Sequence, residues 1–150
     1  MCLITKLESA IRADRDMVCY KVVSPGERGG KEPNQFIALV MNNFTYMLGE
    51  TYKEKKFKPY PDTYIFNCRA VQQGFHSFAT YADVRRSGGV NTIWLKCIIP
   101  AGSLYFYDKH CSTDTKPWHY CSDAIKVIAW KSPRGKWSRA ERTADDIGKK

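Results

Sequence analysis

The chain has 150 residues, 43% of them hydrophobic and 13% aromatic, which suits one folded domain and excludes a disordered chain. Lys plus Arg number 24 against 15 for Asp plus Glu, and the resulting net charge of +9 draws anions to the surface. No apolar run approaches the roughly 20 residues of a membrane helix, and Met1-Cys2-Leu3-Ile4-Thr5 has neither the basic nor the apolar stretch of a secretory signal, so a cytoplasmic protein is expected.

Residues 6–16 are polar, with Leu7, Ala10, Ile11 and Ala13 at near-helical spacing, and predict a short helix or arm. Met17 to Val23 is β-branched and aromatic and reads as the first strand, stopped by Ser24-Pro25-Gly26. A loop dense in Gly, Pro and charge runs on to Pro33. Gln35 to Val40 fits either strand or helix, and Phe44 to Leu48 reads as strand. Lys53 to Pro61 is a basic loop with aromatics among its lysines. Tyr64 to Val71 reads as one strand, and Phe75-His76-Ser77-Phe78 as a loop leading into a helix.

That helix, at about residues 79–87, has Thr80 as N-cap and Asp83 in its first turn, and Ser87-Gly88-Gly89 ends it. Val90 to Ile99 is the strongest strand signal, closed by Pro100-Ala101-Gly102. Leu104 to Tyr107 is a short strand, Asp108 to Pro117 a polar loop, and Ala124 to Trp130 the last strand. The expected fold is α+β: five to seven mostly antiparallel strands with one central helix. Residues 1–131 form the domain, and 132–150 a basic tail, helical or flexible.

Six cysteines would suit a disulfide framework, but a reducing cytosol keeps thiols free, and Cys19, Cys68 and Cys97 lie in apolar stretches as core residues. His110, Cys111, His119 and Cys121 are zinc-ligand types whose spacing gives poor bite, so no metal is expected. No G-x-G-x-x-G, P-loop or positioned carboxylate pair is present, and neither a cofactor nor a catalytic residue is assigned. Cys2 as an N-terminal nucleophile and a thiol paired with His76 are thin leads that the spacing does not demand.

The segment Gly74 to Phe78 is the most suggestive for binding. His76 and Ser77 could hydrogen-bond a phosphate or ribose while Phe75 or Phe78 stacks on a base, or the phenylalanines could be core and His76 a turn residue. Two basic, aromatic-bearing stretches, Lys53 to Tyr60 and Lys131 to Arg142, match either a single-strand nucleic-acid surface or a solvated loop and tail.

Met1-Cys2-Leu3-Ile4-Thr5, Cys19-Tyr20-Lys21-Val22-Val23, Gly74-Phe75-His76-Ser77-Phe78, the run Lys96 to Phe106 and the run Cys121 to Ile128 occur in an order that resembles a family of short uncharacterised proteins of phages and gut bacteria. The resemblance covers most of residues 1–130, implies a phage context and carries no activity. A weaker likeness is to ADP-ribosyltransferases, whose first two motifs Tyr20-Lys21 and Phe75-His76-Ser77 would fill. The last strand offers Ser122-Asp123 where that family has its catalytic Glu, which implies ligand binding without transfer.

The leading expectation is a non-enzymatic binder of an anionic small molecule, a nucleotide or ADP-ribose-like compound. A phage protein that sequesters a host immune signal in the host cytoplasm would be one instance. Its cleft would use Tyr20, Lys21, Phe75, His76 and Ser77, with Arg85 and Arg86 supplying charge. The alternatives are a basic interaction module for nucleic acid or an acidic host protein, and a nucleotide-directed transferase or hydrolase. No membrane partner is expected.

Overall fold

A computed structural model describes residues 3–5, 7, 9–25, 35–38, 45–61, 63–65, 68–71, 73–86, 92–108 and 118–139. In chain order the strands are β1 (Leu3–Thr5), β2 (Ile11–Arg12), β3 (Met17–Pro25), β4 (Gln35–Ala38), β5 (Thr45–Met47), β6 (Thr51–Lys53), β7 (Thr63–Ile65), β8 (Cys68–Val71) and β9 (Phe75–Phe78). The helix α1 (Tyr81–Arg86) follows, then β10 (Ile93–Ile99), β11 (Leu104–Asp108), β12 (His119–Ser122) and β13 (Ala124–Lys131). No described helix is long and apolar enough to cross a membrane.

The main sheet is antiparallel in the order β2-β11-β12-β9-β3-β10-β13-β6, with β4 and β5 branching from β3, and β1-β8-β7 form a second, three-stranded sheet. The α+β expectation holds at the level of a mostly antiparallel sheet with one short helix among the described residues. Its strand count of five to seven is too low, because eight strands lie along the main path alone.

The miscounted segments are short. Residues 6–16 do not form the expected helix across their middle: Ile11 and Arg12 pair with Tyr105 and Leu104 on β11. A single helical turn or two is marginal by itself, whereas the edge of β11 offers unpaired backbone groups. The stretch Tyr64 to Val71 is two strands rather than one, with Ile65 opposite Cys68. The ambiguous Gln35 segment is strand, its residues 35–37 paired with β5.

Phe75 to Phe78 is also strand and not loop, because β12 pairs with all four of its residues. The Thr80 cap stands: its Oγ1 accepts the Asp83 N–H at 3.2 Å and donates to Asp83 Oδ2 at 2.6 Å. The segment after β13 does not leave the sheet at once. Ser138 exchanges both backbone hydrogen bonds with Trp130, at 2.9 and 3.0 Å. Most of the helix expected at Ser138 to Asp146 lies outside the described residues.

Strand β3 organises the molecule. Along one edge it pairs with β10 through seven consecutive residues, Met17↔Ile99 to Val23↔Ile93. Its other edge is divided between β9 at Tyr20 and β4 from Val23 onward. The sheet therefore forks beside Lys21 and Val22. Alternation along β3 and β10 separates two packed layers. Cys19, Val23, Leu95, Cys97 and Ile99 enter the large core with Ile125 and Val127. Tyr20, Val22 and Trp94 face α1 instead.

Tyr46 closes the large core, 3% exposed and packed on Phe75 and Tyr52. Burial drives its phenol pKa far above the ordinary 10.0. A raised folded-state pKa contributes stability that is complete below pH 10 and is lost as pH climbs, because only the unfolded chain ionises there. Above pH 10 stability should fall by about 1.4 kcal/mol per pH unit from this phenol. In denaturant titrations from pH 9 to 11.5, Tyr46→Phe should show a shallower alkaline decline than the native protein.

Candidate functional site

The sheet distributes the expected binding residues over both its layers. Tyr20 stands opposite Phe78 on the α1 side. Lys21, the next residue, turns to the other layer, and its ammonium crosses the fork to donate to the carbonyl oxygen of His76. It also lies over the Tyr46 ring, 5.4 Å from the centroid. Lys21 is half-buried, and desolvation of its ammonium lowers its pKa from 10.5, with nearby thiols opposing that shift.

Phe75 is 6% exposed and belongs to the large core. Ser77 is 2% exposed. Its Oγ has no hydrogen bond of ordinary geometry among the described residues, although the hydroxyl lies close enough to Cys19 to favour the thiolate. His76, half-buried, faces Cys121 across the β9–β12 pair, Nε2 to Sγ 3.7 Å. Arg85 and Arg86 are exposed at the end of α1. The chain thus brings Lys21, Phe75 and Ser77 together beneath the sheet, and Tyr20 with α1 above it.

A Cys–His pair invites a nucleophilic reading, and the surroundings argue against it. Cys121 is fully buried, its thiol donates to the Gln73 carbonyl at 3.5 Å, and Gly74 packs directly over it. With its proton engaged by that carbonyl and Gly74 against the sulfur, Cys121 is held as a packed core thiol. His110 and Cys111, the other half of the zinc-type cluster, lie outside the described residues. His119 stacks on Trp118 at 3.7 Å and sits 4.4 Å from Phe78, while Cys121 turns to His76.

The α1 side carries the more open chemistry. Tyr20, Tyr81 and Trp137 meet pairwise, with centroids 6.1, 5.9 and 5.6 Å apart at tilted or edge-on angles. All three rings are half-buried. Trp94 lines the floor, 6.0 Å from Tyr81 and 6% exposed. Its indole N–H is buried without an acceptor among the described residues, a group that costs about 1–3 kcal/mol to leave unsatisfied.

Positive charge surrounds these rings. The Lys131 ammonium lies 5.3 Å from the Trp94 centroid and 5.9 Å from that of Tyr81. Lys96, opposite Tyr20 in the register, shares this side of the sheet, and Arg85 and Arg86 stand on α1 above. Sequence reasoning had reached Tyr20 and the two arginines. It missed Trp94, the partner of Lys131 across β10 and β13, and it placed Lys131 and Trp137 in a separate basic stretch, a nucleic-acid surface or a solvated tail, and not with Tyr20. The available signal was alternation: Val22 and Trp94 would share a face if the two strongest strands paired.

The basic loop is more divided than its composition suggests. Lys53, Lys55, Lys56 and Lys58 are exposed and Tyr60 is 67% exposed, whereas Phe57 turns inward onto Phe106 at 5.8 Å. Comparison of the chain with family models, with curated proteins and with solved structures finds no match.

Proposed function

We propose that this protein binds an anionic, nucleotide-like small molecule on the α1 side of its main sheet and does not turn it over. The observation that carries the reading is the group of half-buried rings Tyr20, Tyr81 and Trp137 set among cationic side chains. Aromatic faces supply stacking for a base, and ammonium and guanidinium groups neutralise phosphate. Lys96 and Lys131 are cations of this side, Arg85 and Arg86 lie at the end of α1, and the Trp94 indole, without an acceptor among the described residues, supports a ligand acceptor above it. A phage protein holding a host signalling nucleotide is the setting that the sequence resemblance suggests.

Calorimetric titration with ATP, ADP-ribose and a cyclic dinucleotide tests the reading. One of them should bind, and Trp137→Ala should weaken that binding about tenfold or more, as loss of a stacking ring does. Lys55→Ala, in the distant basic loop, should leave it unchanged. Absence of binding to every nucleotide would overturn the proposal. Affinity for RNA alone, falling steeply with salt, would support the basic interaction module in its place.

A further inference from the structure

We infer that Cys19 and Cys97 form a reversible dithiol–disulfide centre whose oxidant is a small hydroperoxide. The two residues are directly opposite in the continuous β3–β10 register. Opposed residues of an antiparallel pair have Cα atoms about 4.5 or 5.5 Å apart, according to the type of pair, and both spacings lie within the range a disulfide spans. Both thiols are free and fully buried, and each shifts the pKa of the other. Strand alternation places Cys121 on the other layer with His76, which leaves Cys97 as the partner for Cys19 among the three described thiols.

Buried thiols are ordinarily inert because burial disfavours the thiolate. This pair is arranged to oppose that. Burial raises the Cys19 pKa, but the nearby Cys97 thiol, Ser77 hydroxyl and Lys21 charge outweigh it, and the net shift is downward. Burial pushes the Cys97 thiol well up, and the neighbouring Cys19 reinforces this. The two shifts run in opposite directions, so Cys19 is the thiol of the pair that more readily gives up its proton. Lys21, two residues from Cys19 on the same face, has its own pKa lowered by desolvation, and as the neutral amine it can take the Cys19 proton and become the ammonium.

The chemistry balances with the hydroperoxide as oxidant. The Cys19 sulfur attacks the terminal oxygen, an S–O bond forms, and the O–O bond breaks. The departing alkoxide or hydroxide takes the proton held by Lys21, leaving a sulfenic acid on Cys19. The Cys97 sulfur then attacks Cys19, the S–S bond forms, and the sulfenic oxygen leaves as water with the Cys97 proton. Two thiols have lost two electrons and two protons, and the hydroperoxide has been reduced to an alcohol, or water, plus water. The apolar core around the pair admits only a small uncharged oxidant.

The test exposes the reduced full-length protein to hydrogen peroxide, alkylates the remaining thiols in denaturant and maps the peptides. One linked peptide joining Cys19 to Cys97 should appear and be reversed by a dithiol reductant, and Cys97→Ser should leave a dimedone-reactive sulfenic acid on Cys19. Lys21→Met should slow the oxidation about tenfold or more with the circular dichroism spectrum unchanged. A linkage through any other cysteine, or full alkylation of Cys19 and Cys97 after other thiols have oxidised, would overturn the inference. If Cys97→Ser does not fold, the native linkage map and the Lys21→Met rate decide it.

Discussion

Gly74→Ala should be among the most damaging single substitutions in this protein, lowering stability by roughly 3 kcal/mol or more. Gly74 has φ of +141°, a conformation that side-chain-bearing residues rarely adopt. It also sits where no Cβ fits. An added Cβ would stand 2.6 Å from Cys121 Sγ, 2.9 Å from the Ser122 carbonyl oxygen and 3.0 Å from Phe57 Cδ2. The ring and the thiol could give way, but the carbonyl belongs to the β12 ladder that pairs with β9. A double substitution, Gly74→Ala with Phe57→Leu, should therefore recover only part of the loss. The urea midpoint with its slope is the measurement, and a change below 1 kcal/mol for Gly74→Ala would show that β9 and β12 separate easily here.

Leu95→Ala should cost about 3 kcal/mol, within the 2–5 kcal/mol range of large-to-small core changes. Leu95 is fully buried at the middle of β10, with Lys21 opposite on β3 and Trp130 opposite on β13. Strands on both sides hold that position, so the cavity cannot collapse and the lost contacts are not recovered. Val18→Ala is the control on the neighbouring strand. Val18 is 44% exposed, and its truncation should stay within about 0.5 kcal/mol. Equal losses at the two positions would mean that β3 and β10 are not the centre of the fold.

Together these substitutions separate the roles of the two layers. Leu95 supports the core that encloses Cys19, Cys97 and Lys21. Trp137 contributes to the α1 side without belonging to that core. Loss of nucleotide binding in Trp137→Ala with an unchanged urea midpoint would therefore report on the site and not on the fold.

The sequence by itself determined the class of fold and its strongest elements. Met17 to Val23 and Val90 to Ile99 were legible because they are long β-branched runs, and α1 because Thr80 and Asp83 form a cap that acts within one turn. It also determined the basic surface and the apolar setting of Cys19 and Cys97, since composition and local hydropathy suffice for both. Tertiary structure decided the rest. Two- to four-residue strands such as β2, β9 and β12 have too few residues to display a period and exist because a neighbouring edge pairs with them. It likewise decided that Tyr20 and Lys21, adjacent in sequence, serve opposite layers, and that Trp94, Lys131 and Trp137 gather on one side. The physical reason is the two-residue period of the strand: adjacency separates side chains, and only the pairing register says which distant ones meet.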